Sequence, residues 1–123
     1  MEQSKDQAVL VVDDTVENID VLRSIIGEKY KVKVALNGEK ALKIAGKKPP
    51  DIILLDVMMP EMDGFEVCRR LKADEATKDI PVIFVTGHTD EEEREKGMAL
   101  GAVDYLTKPV EPELVLEKIE KYL

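Results

Sequence analysis

Three short runs of aliphatic residues each break off on polar or small residues: Ala8–Val12 on Asp13 and Asp14, Ile52–Leu55 on Asp56, and Ile80–Val85 on Thr86 and Gly87. Short apolar runs rich in β-branched residues, with no polar alternation inside them, read as strands buried on both faces, as in parallel sheets covered by helices. Each polar terminus then stands at the C-terminal end of a strand. In an open parallel sheet those ends face a crevice, and an unpaired buried carboxylate there is costly. Asp56, followed by Val57, Met58, Met59 and Pro60, is better explained by chemistry than by packing.

The intervening segments carry helical spacing. Ile19, Leu22, Ile25 and Ile26 form one apolar stripe, stopping near Gly27; Ala41, Leu42 and Ala45 form a second, closed by Pro49 and Pro50. Val32–Ala35 alternates as an edge strand should. Val67, Cys68 and Leu71 share a face of a third helix, and Cys68 reads as plain core. A fourth helix, capped by Thr89 or Asp90 with Glu92 or Glu93 completing a capping box, offers only Met98, Ala99 and Leu100 to a core and is expected to be loosely held. Its run from Glu91 to Lys96 reads as a solvated face. Ala102–Leu106 is the fifth expected strand, Lys108-Pro109 follows, and Val115, Ile119 and Tyr122 mark the inner stripe of a last helix opened by Pro112. Five alternations of strand and helix predict a right-handed, doubly wound parallel sheet.

The 123 residues suit a single domain able to bury about two thirds of its unfolded surface. Residues 1–7 form a frayed polar start and 8–123 the domain. With 26 acidic against 18 basic residues the formal charge is -8, which argues against direct binding to nucleic acid or to an anionic membrane. One cysteine excludes an internal disulfide, and no signal-peptide core or spanning segment is present, so a cytoplasmic location is expected.

The strand ends supply Asp13 and Asp14, Asp56, Thr86 and Lys108, while the second strand ends on Ala35 and Leu36. In the strand order 2-1-3-4-5 that bare strand is an outer one, and the chemical groups line the switch point. Three carboxylates in one crevice repel, and a hard divalent cation, Mg2+ where protein ligands are few, relieves them. Three aspartates, one such ion and Lys108 sum to zero charge, a pocket that accepts a phosphoryl dianion. Asp56 then serves as nucleophile, Thr86 and Lys108 hold the phosphoryl oxygens, and Gly87 keeps the approach clear.

Four ordered blocks, Val11–Asp14, Leu55–Gly64, Val85–Gly87 and Asp104–Pro109, together resemble the receiver domain of two-component response regulators, across Val9 to Leu123. The resemblance implies a CheY-like, flavodoxin-like doubly wound (βα)5 three-layer sandwich, sheet order 2-1-3-4-5. It implies that Asp56 accepts a phosphoryl group from the phosphohistidine of a sensor histidine kinase or phosphotransfer protein. Asp13, Asp14, Asp56 and the Met58 backbone carbonyl would surround Mg2+, with Mn2+ as an alternative, and Thr86, Gly87 and Lys108 would bind the phosphoryl group. Thr86 and Tyr105 would form a switch altering the face of the fourth helix, fifth strand and fifth helix, and Lys108-Pro109 would be cis, the isomer that proline alone makes cheap. Implied partners are a downstream effector or fused output domain and a phosphorylation-dependent homodimer. Met58 and His88 would tune the lifetime of the phosphoryl group, His88 as a solvent-exposed modulator.

Against this stand blander readings: Asp56 as a helix cap, Asp13 and Asp14 as caps of the first helix, Lys108 as surface charge. A turnover phosphatase using an aspartyl phosphate needs a second acid two residues after the nucleophile, where Met58 stands. A scaffold without chemistry has no use for the complete set of Asp13, Asp14, Asp56, Thr86 and Lys108. The expected protein is a switch whose only chemistry is its own phosphorylation and dephosphorylation.

Overall fold

Five strands, β1 (Ala8–Val12), β2 (Lys31–Ala35), β3 (Ile52–Asp56), β4 (Val82–Thr86) and β5 (Asp104–Thr107), pair in parallel in the order β2-β1-β3-β4-β5. They alternate with α1 (Val16–Ile26), α2 (Gly38–Lys47), α3 (Gly64–Ala73), α4 (Glu91–Ala99) and α5 (Pro112–Tyr122). The structure, a computed structural model, describes residues 6–87 and 90–123. The expectations for His88 and for Thr89 as a cap lie outside those residues. So do residues 1–5 of the expected frayed start, whereas Gln7 O already accepts the Lys31 amide at 3.0 Å.

The three-layer sandwich follows from the period of two along each strand. Leu10, Val12, Ile53, Leu55 and Phe84 point to one face and pack with Ala41 and Ala45 of α2 and Val67, Cys68 and Leu71 of α3. Val9, Val11, Ile52, Leu54, Ile83 and Val85 point to the other, against Ile19, Leu22 and Ile26 of α1 and Val115 and Ile119 of α5. The central strands β1, β3 and β4 are buried throughout, which is why they lack alternation, while β2 is half-buried at the edge. Lys33 on β2 turns its ammonium to the Lys48 carbonyl at 3.2 Å.

Caps follow local chemistry. Asn37, Asp63 and Asp90 each accept, at 2.9 Å, the amide three residues on, from Lys40, Glu66 and Glu93 respectively. At α1 the N-cap is Thr15, with no side-chain cap, so neither Asp13 nor Asp14 fills that role.

Two expectations are corrected. Met98 and Ala99 are exposed rather than inward; Gly97 is the buried residue of α4, and Leu100 packs at the edge of the core. The helix lies so close to Phe84 and Tyr105 that only a residue without a side chain fits between, and a search for apolar periodicity passes over glycine. The fifth strand begins at Asp104, not Ala102. Gly101 turns the chain at φ 110° and the Ala102 amide donates to Gly97 O at 3.2 Å, so Ala102 closes the helix instead of opening the strand.

Asp104 fastens α5 to the sheet. Its carboxylate accepts from Lys118 Nζ at 2.9 Å and from the Tyr122 hydroxyl at 3.0 Å, and Lys118 also donates to Tyr105 O at 2.7 Å. Burial pushes the Asp104 carboxyl up, but the hydrogen bonds from Lys118, the Tyr105 amide and Tyr122 outweigh it and hold the pKa below the usual carboxylate value. A depressed folded-state pKa contributes stability that is present above the unfolded value and is lost as pH falls through the folded one. Asp104→Asn is therefore expected to cost about 1–2 kcal/mol near neutral pH, a charge-assisted bond discounted for partial exposure. Urea unfolding of both proteins should show that difference shrinking as the pH falls below about 4, where the unfolded carboxyl begins to protonate.

Candidate functional site

The β1–β3 register pairs Val12 with Leu55, so the residues next outward, Asp13 and Asp56, are neighbours at one rim of the sheet. Asp13 is 1% exposed and Asp56 5%, whereas Asp14 faces solvent. The β4–β5 register pairs Thr86 with Thr107, which brings Lys108 to the same rim; its amide donates to Thr86 O at 2.9 Å. Lys108 Nζ then reaches back across the sheet, donating to Asp13 Oδ2 at 3.0 Å and to Asp56 Oδ1 at 3.4 Å. The Lys108-Pro109 peptide bond is cis.

Electrostatics at this rim are set by a shortage of positive charge. Burial pushes the Asp56 carboxyl above its ordinary pKa, the Asp13 charge pushes it further, and Lys108 offsets only part of this. For Lys108 burial disfavours the ammonium, but the Asp13 hydrogen bond and the charges of Asp56 and Asp13 prevail and hold its pKa above the ordinary lysine value. Carboxylate oxygens of Asp13, Asp14 and Asp56 all lie within 4.8 Å of one another. Three carboxylates against one ammonium leave two negative charges in a largely desolvated notch. An all-oxygen donor set with that surplus fits a hard divalent cation that keeps several of its waters, as Mg2+ does.

The loop after β3 is shaped by two glycine-dependent contacts and a cap. The Gly64 amide donates to Val57 O at 2.8 Å, and a Cβ at Gly64 would overlap the Asp56 carbonyl oxygen and approach Val57 Cα at 2.8 Å. Asp63 caps α3 beside it, and Glu61 adopts φ 70° to close the turn. Met58 rides on this loop with its side chain exposed. A side-chain atom added at Gly87 would meet nothing within 4 Å. Thr86 is buried at the end of β4, and Tyr105 is buried on β5 with its hydroxyl donating to Glu93 O at 2.7 Å.

Of the residues named from the sequence, the structure brings Asp13, Asp14, Asp56 and Lys108 together at the rim, and it adds Thr15, Asn18 and Gly64 as their supports. Asn18 Nδ2 donates to Asp13 Oδ1 at 3.4 Å, and the Thr15 amide donates to the same oxygen at 2.9 Å, so the first turn of α1 steadies Asp13. No pattern separates Asn18 from the other polar residues of that turn. Gly64 lies within the block that carried the resemblance, but its packing against β3 is visible only in three dimensions.

A family model described as the response regulator receiver domain matches residues 9–120. The chain is 40% identical over 123 residues to a probable cyclic di-GMP phosphodiesterase of Vibrio cholerae serotype O1, covering 100% of this chain and 28% of that protein. It is 45% identical over 112 residues to the response regulator PleD of Caulobacter vibrioides, covering 90% of this chain and 25% of that protein. The chain therefore spans only 28% and 25% of the length of these curated relatives. Among solved structures, it matches the chemotaxis protein CheY4 of Vibrio cholerae with a TM-score of 0.91 at 33% identity, covering 95% of this chain and 98% of that one. It matches the BeF3-activated receiver domain of DrrB from Thermotoga maritima with a TM-score of 0.86 at 33% identity, covering 94% and 96%. Among the described residues no helix is long and apolar enough to cross a membrane.

Removing one buried member of the acidic trio should be felt directly in cation affinity. Asp13→Asn is expected to weaken Mg2+ binding by about tenfold or more, since one charge-assisted ligand is worth about 1.4 kcal/mol or more. Chemical-shift titration with MgCl2 at neutral pH, on a variant shown to be folded, gives the ratio.

Proposed function

Because the chain belongs to the response regulator receiver family, we propose that it is a phosphorylation-controlled switch with Asp56 as its phosphoacceptor. The donor is the phosphohistidine of a sensor histidine kinase or phosphotransfer protein. One observation carries this reading: Asp56, nearly fully buried, is held within reach of Lys108 and beside Asp13 at the rim where β3, β1 and β5 end.

Asp13, Asp14, Asp56 and the Met58 backbone carbonyl would hold Mg2+, or Mn2+ in its place. When bound, the ion supplies positive charge facing the phosphoryl oxygens. An oxygen of the Asp56 carboxylate attacks phosphorus, the donor's P–N bond breaks, and its electron pair stays on the imidazole nitrogen, which takes a proton. Phosphoryl transfer asks the protein for alignment and charge more than for covalent help. Lys108 turns from its two carboxylates to the incoming phosphoryl oxygens, with the Thr86 hydroxyl as a second donor, and Gly87 leaves the approach open. Reversal is hydrolysis: water attacks phosphorus, the P–O bond to Asp56 breaks, and the carboxylate is restored with release of inorganic phosphate and a proton.

Loss of Lys108 from its resting ion pairs and engagement of Thr86 would be read at the face formed by α4, β5 and α5, through Tyr105. The output belongs to an effector, separate or fused, or to a homodimer formed through this face. One relative is named a DNA-binding transcriptional regulator, of Synechocystis, and this chain spans 48% of it, consistent with output residing in the remainder. The domain itself, acidic and with its only reaction centred on Asp56, is proposed to act in the cytoplasm without binding nucleic acid or membrane.

Incubation with a small-molecule phosphodonor and Mg2+ should add one phosphoryl group by intact mass, and Asp56→Asn should add none; labelling that survives the substitution overturns the assignment. Lys108→Ala should retain Mg2+ binding yet lose the response of α4 and β5 chemical shifts to the phosphodonor. A normal response in that variant would rule out Lys108 as the link between site and face.

A further inference from the structure

Charge is sorted along this chain. Residues 29–48, which span β2 and α2, hold seven lysines and one glutamate, a net charge of +6, so the other residues carry -14 against the total of -8. Folding gathers the lysines at one border of the sheet. Lys31 and Lys33 share the side of the edge strand on which Ala35 meets Ala41 and Ala45 of α2, whereas Val32 and Val34 pack on the other side. Lys33 Nζ reaches the Lys48 carbonyl at 3.2 Å. Along α2, Lys40, Lys43 and Lys47 recur at i, i+3 and i+7, an exposed stripe opposite the buried Ala41 and Ala45.

The fold itself has no use for this stripe. Lys40 lies in the first turn, where the helix dipole disfavours a cation. None of the three lysines makes an ion pair among the described residues, not even Lys43 with Glu39 one turn away, and like charges a turn apart repel. Gly46, one turn on from Lys43, is also unexplained from within. Among the described residues only Gly101 is a glycine of positive φ, and a Cβ at Gly46 would meet nothing within 4 Å. Glycine inside a helix costs stability relative to alanine, but it leaves bare backbone beside the lysines, over which a second helix can pass closely. The geometry points to this face of α2 as a docking surface for an acidic helix of a partner protein, its carboxylates meeting Lys40, Lys43 and Lys47 while its axis crosses Gly46. Nucleic acid fits less well: residues 29–48 supply ammonium groups without arginine or an exposed aromatic ring to hold phosphates and bases, and the -14 elsewhere repels a long phosphate chain. The β2 and β5 borders are opposite ends of the sheet, about 19 Å apart by strand spacing. A partner held on α2 therefore leaves the face of α4, β5 and α5 free, and both faces can be occupied at once.

The probe is an alanine-based helical peptide with glutamates three and four residues apart, titrated into the 15N-labelled, unphosphorylated protein at physiological ionic strength. Chemical-shift changes should concentrate in residues 29–48. Replacing Lys40, Lys43 and Lys47 together by Gln should weaken binding about tenfold or more, the combined effect of three exposed pairs. Lys78→Gln, Lys96→Gln and Lys121→Gln together make the same change of charge elsewhere and should alter binding less than about twofold. Gly46→Gln adds bulk without charge and favours the helix, so it should raise the domain's own thermal stability yet weaken the peptide about threefold or more. Shifts spread over the whole surface, equal losses in the two lysine triples, or undiminished binding to Gly46→Gln overturn the proposal. Tighter binding of a single-stranded oligonucleotide or of phosphatidylglycerol vesicles than of the peptide, through the same lysines, overturns it too. No phosphodonor enters these measurements, so they stand or fall separately from the assignment of Asp56.

Discussion

Asp13 and Asp56 are forced together. A parallel ladder fixes which residues of adjacent strands are neighbours, and the β1–β3 register leaves these two acids side by side as the strands run out of apolar residues. One ammonium, Lys108, reaches both, brought from the end of β5, two places from β3 and three from β1 in the sheet. Burial, and then the repulsion that remains, raise the Asp56 carboxyl, and the surplus of negative charge fits the notch for a cation. Nearly everything else at this rim serves that pair: Thr15 and Asn18 steady Asp13, and Gly64 lets the chain fold back under Asp56.

The residues that make this possible are legible in the sequence because burial on both faces erases polar alternation. Val9–Val12, Ile52–Leu55 and Val82–Val85 can only be interior strands, and once they are, the first polar residue after each marks the rim. The alternation of Val32–Ala35 marked β2 as an edge strand, as the sheet order bears out, and its bare end at Ala35 fits a place outside the crevice. Lys108 was found by its position after the last strand, yet its pairing with both acids depends on strand order, which no local pattern encodes.

What escaped reading from the chain was contact made by the absence of atoms. Met98 and Ala99 looked like the inward side of α4 because hydrophobicity is what periodicity counts, whereas the helix approaches the sheet through Gly97. Ala102 and Val103 looked like strand because they are apolar, but the left-handed turn at Gly101 spends Ala102 on closing the helix. The same reasoning covers Gly64. Glycine is informative only when the neighbour that would collide with a side chain is known, and that neighbour is distant in sequence.

An open sheet has two lateral borders with unpaired backbone groups, and at the β2 border this chain sets Lys31, exposed, and Lys33, whose ammonium reaches the Lys48 carbonyl. Lysines along such a border discourage strand-to-strand adhesion between copies, since a second sheet would have to bury their charge. A unit guarded in this way tolerates crowding, and it can be strung beside other folded units, at the high local concentration a covalent tether imposes, without zippering into a continuous sheet.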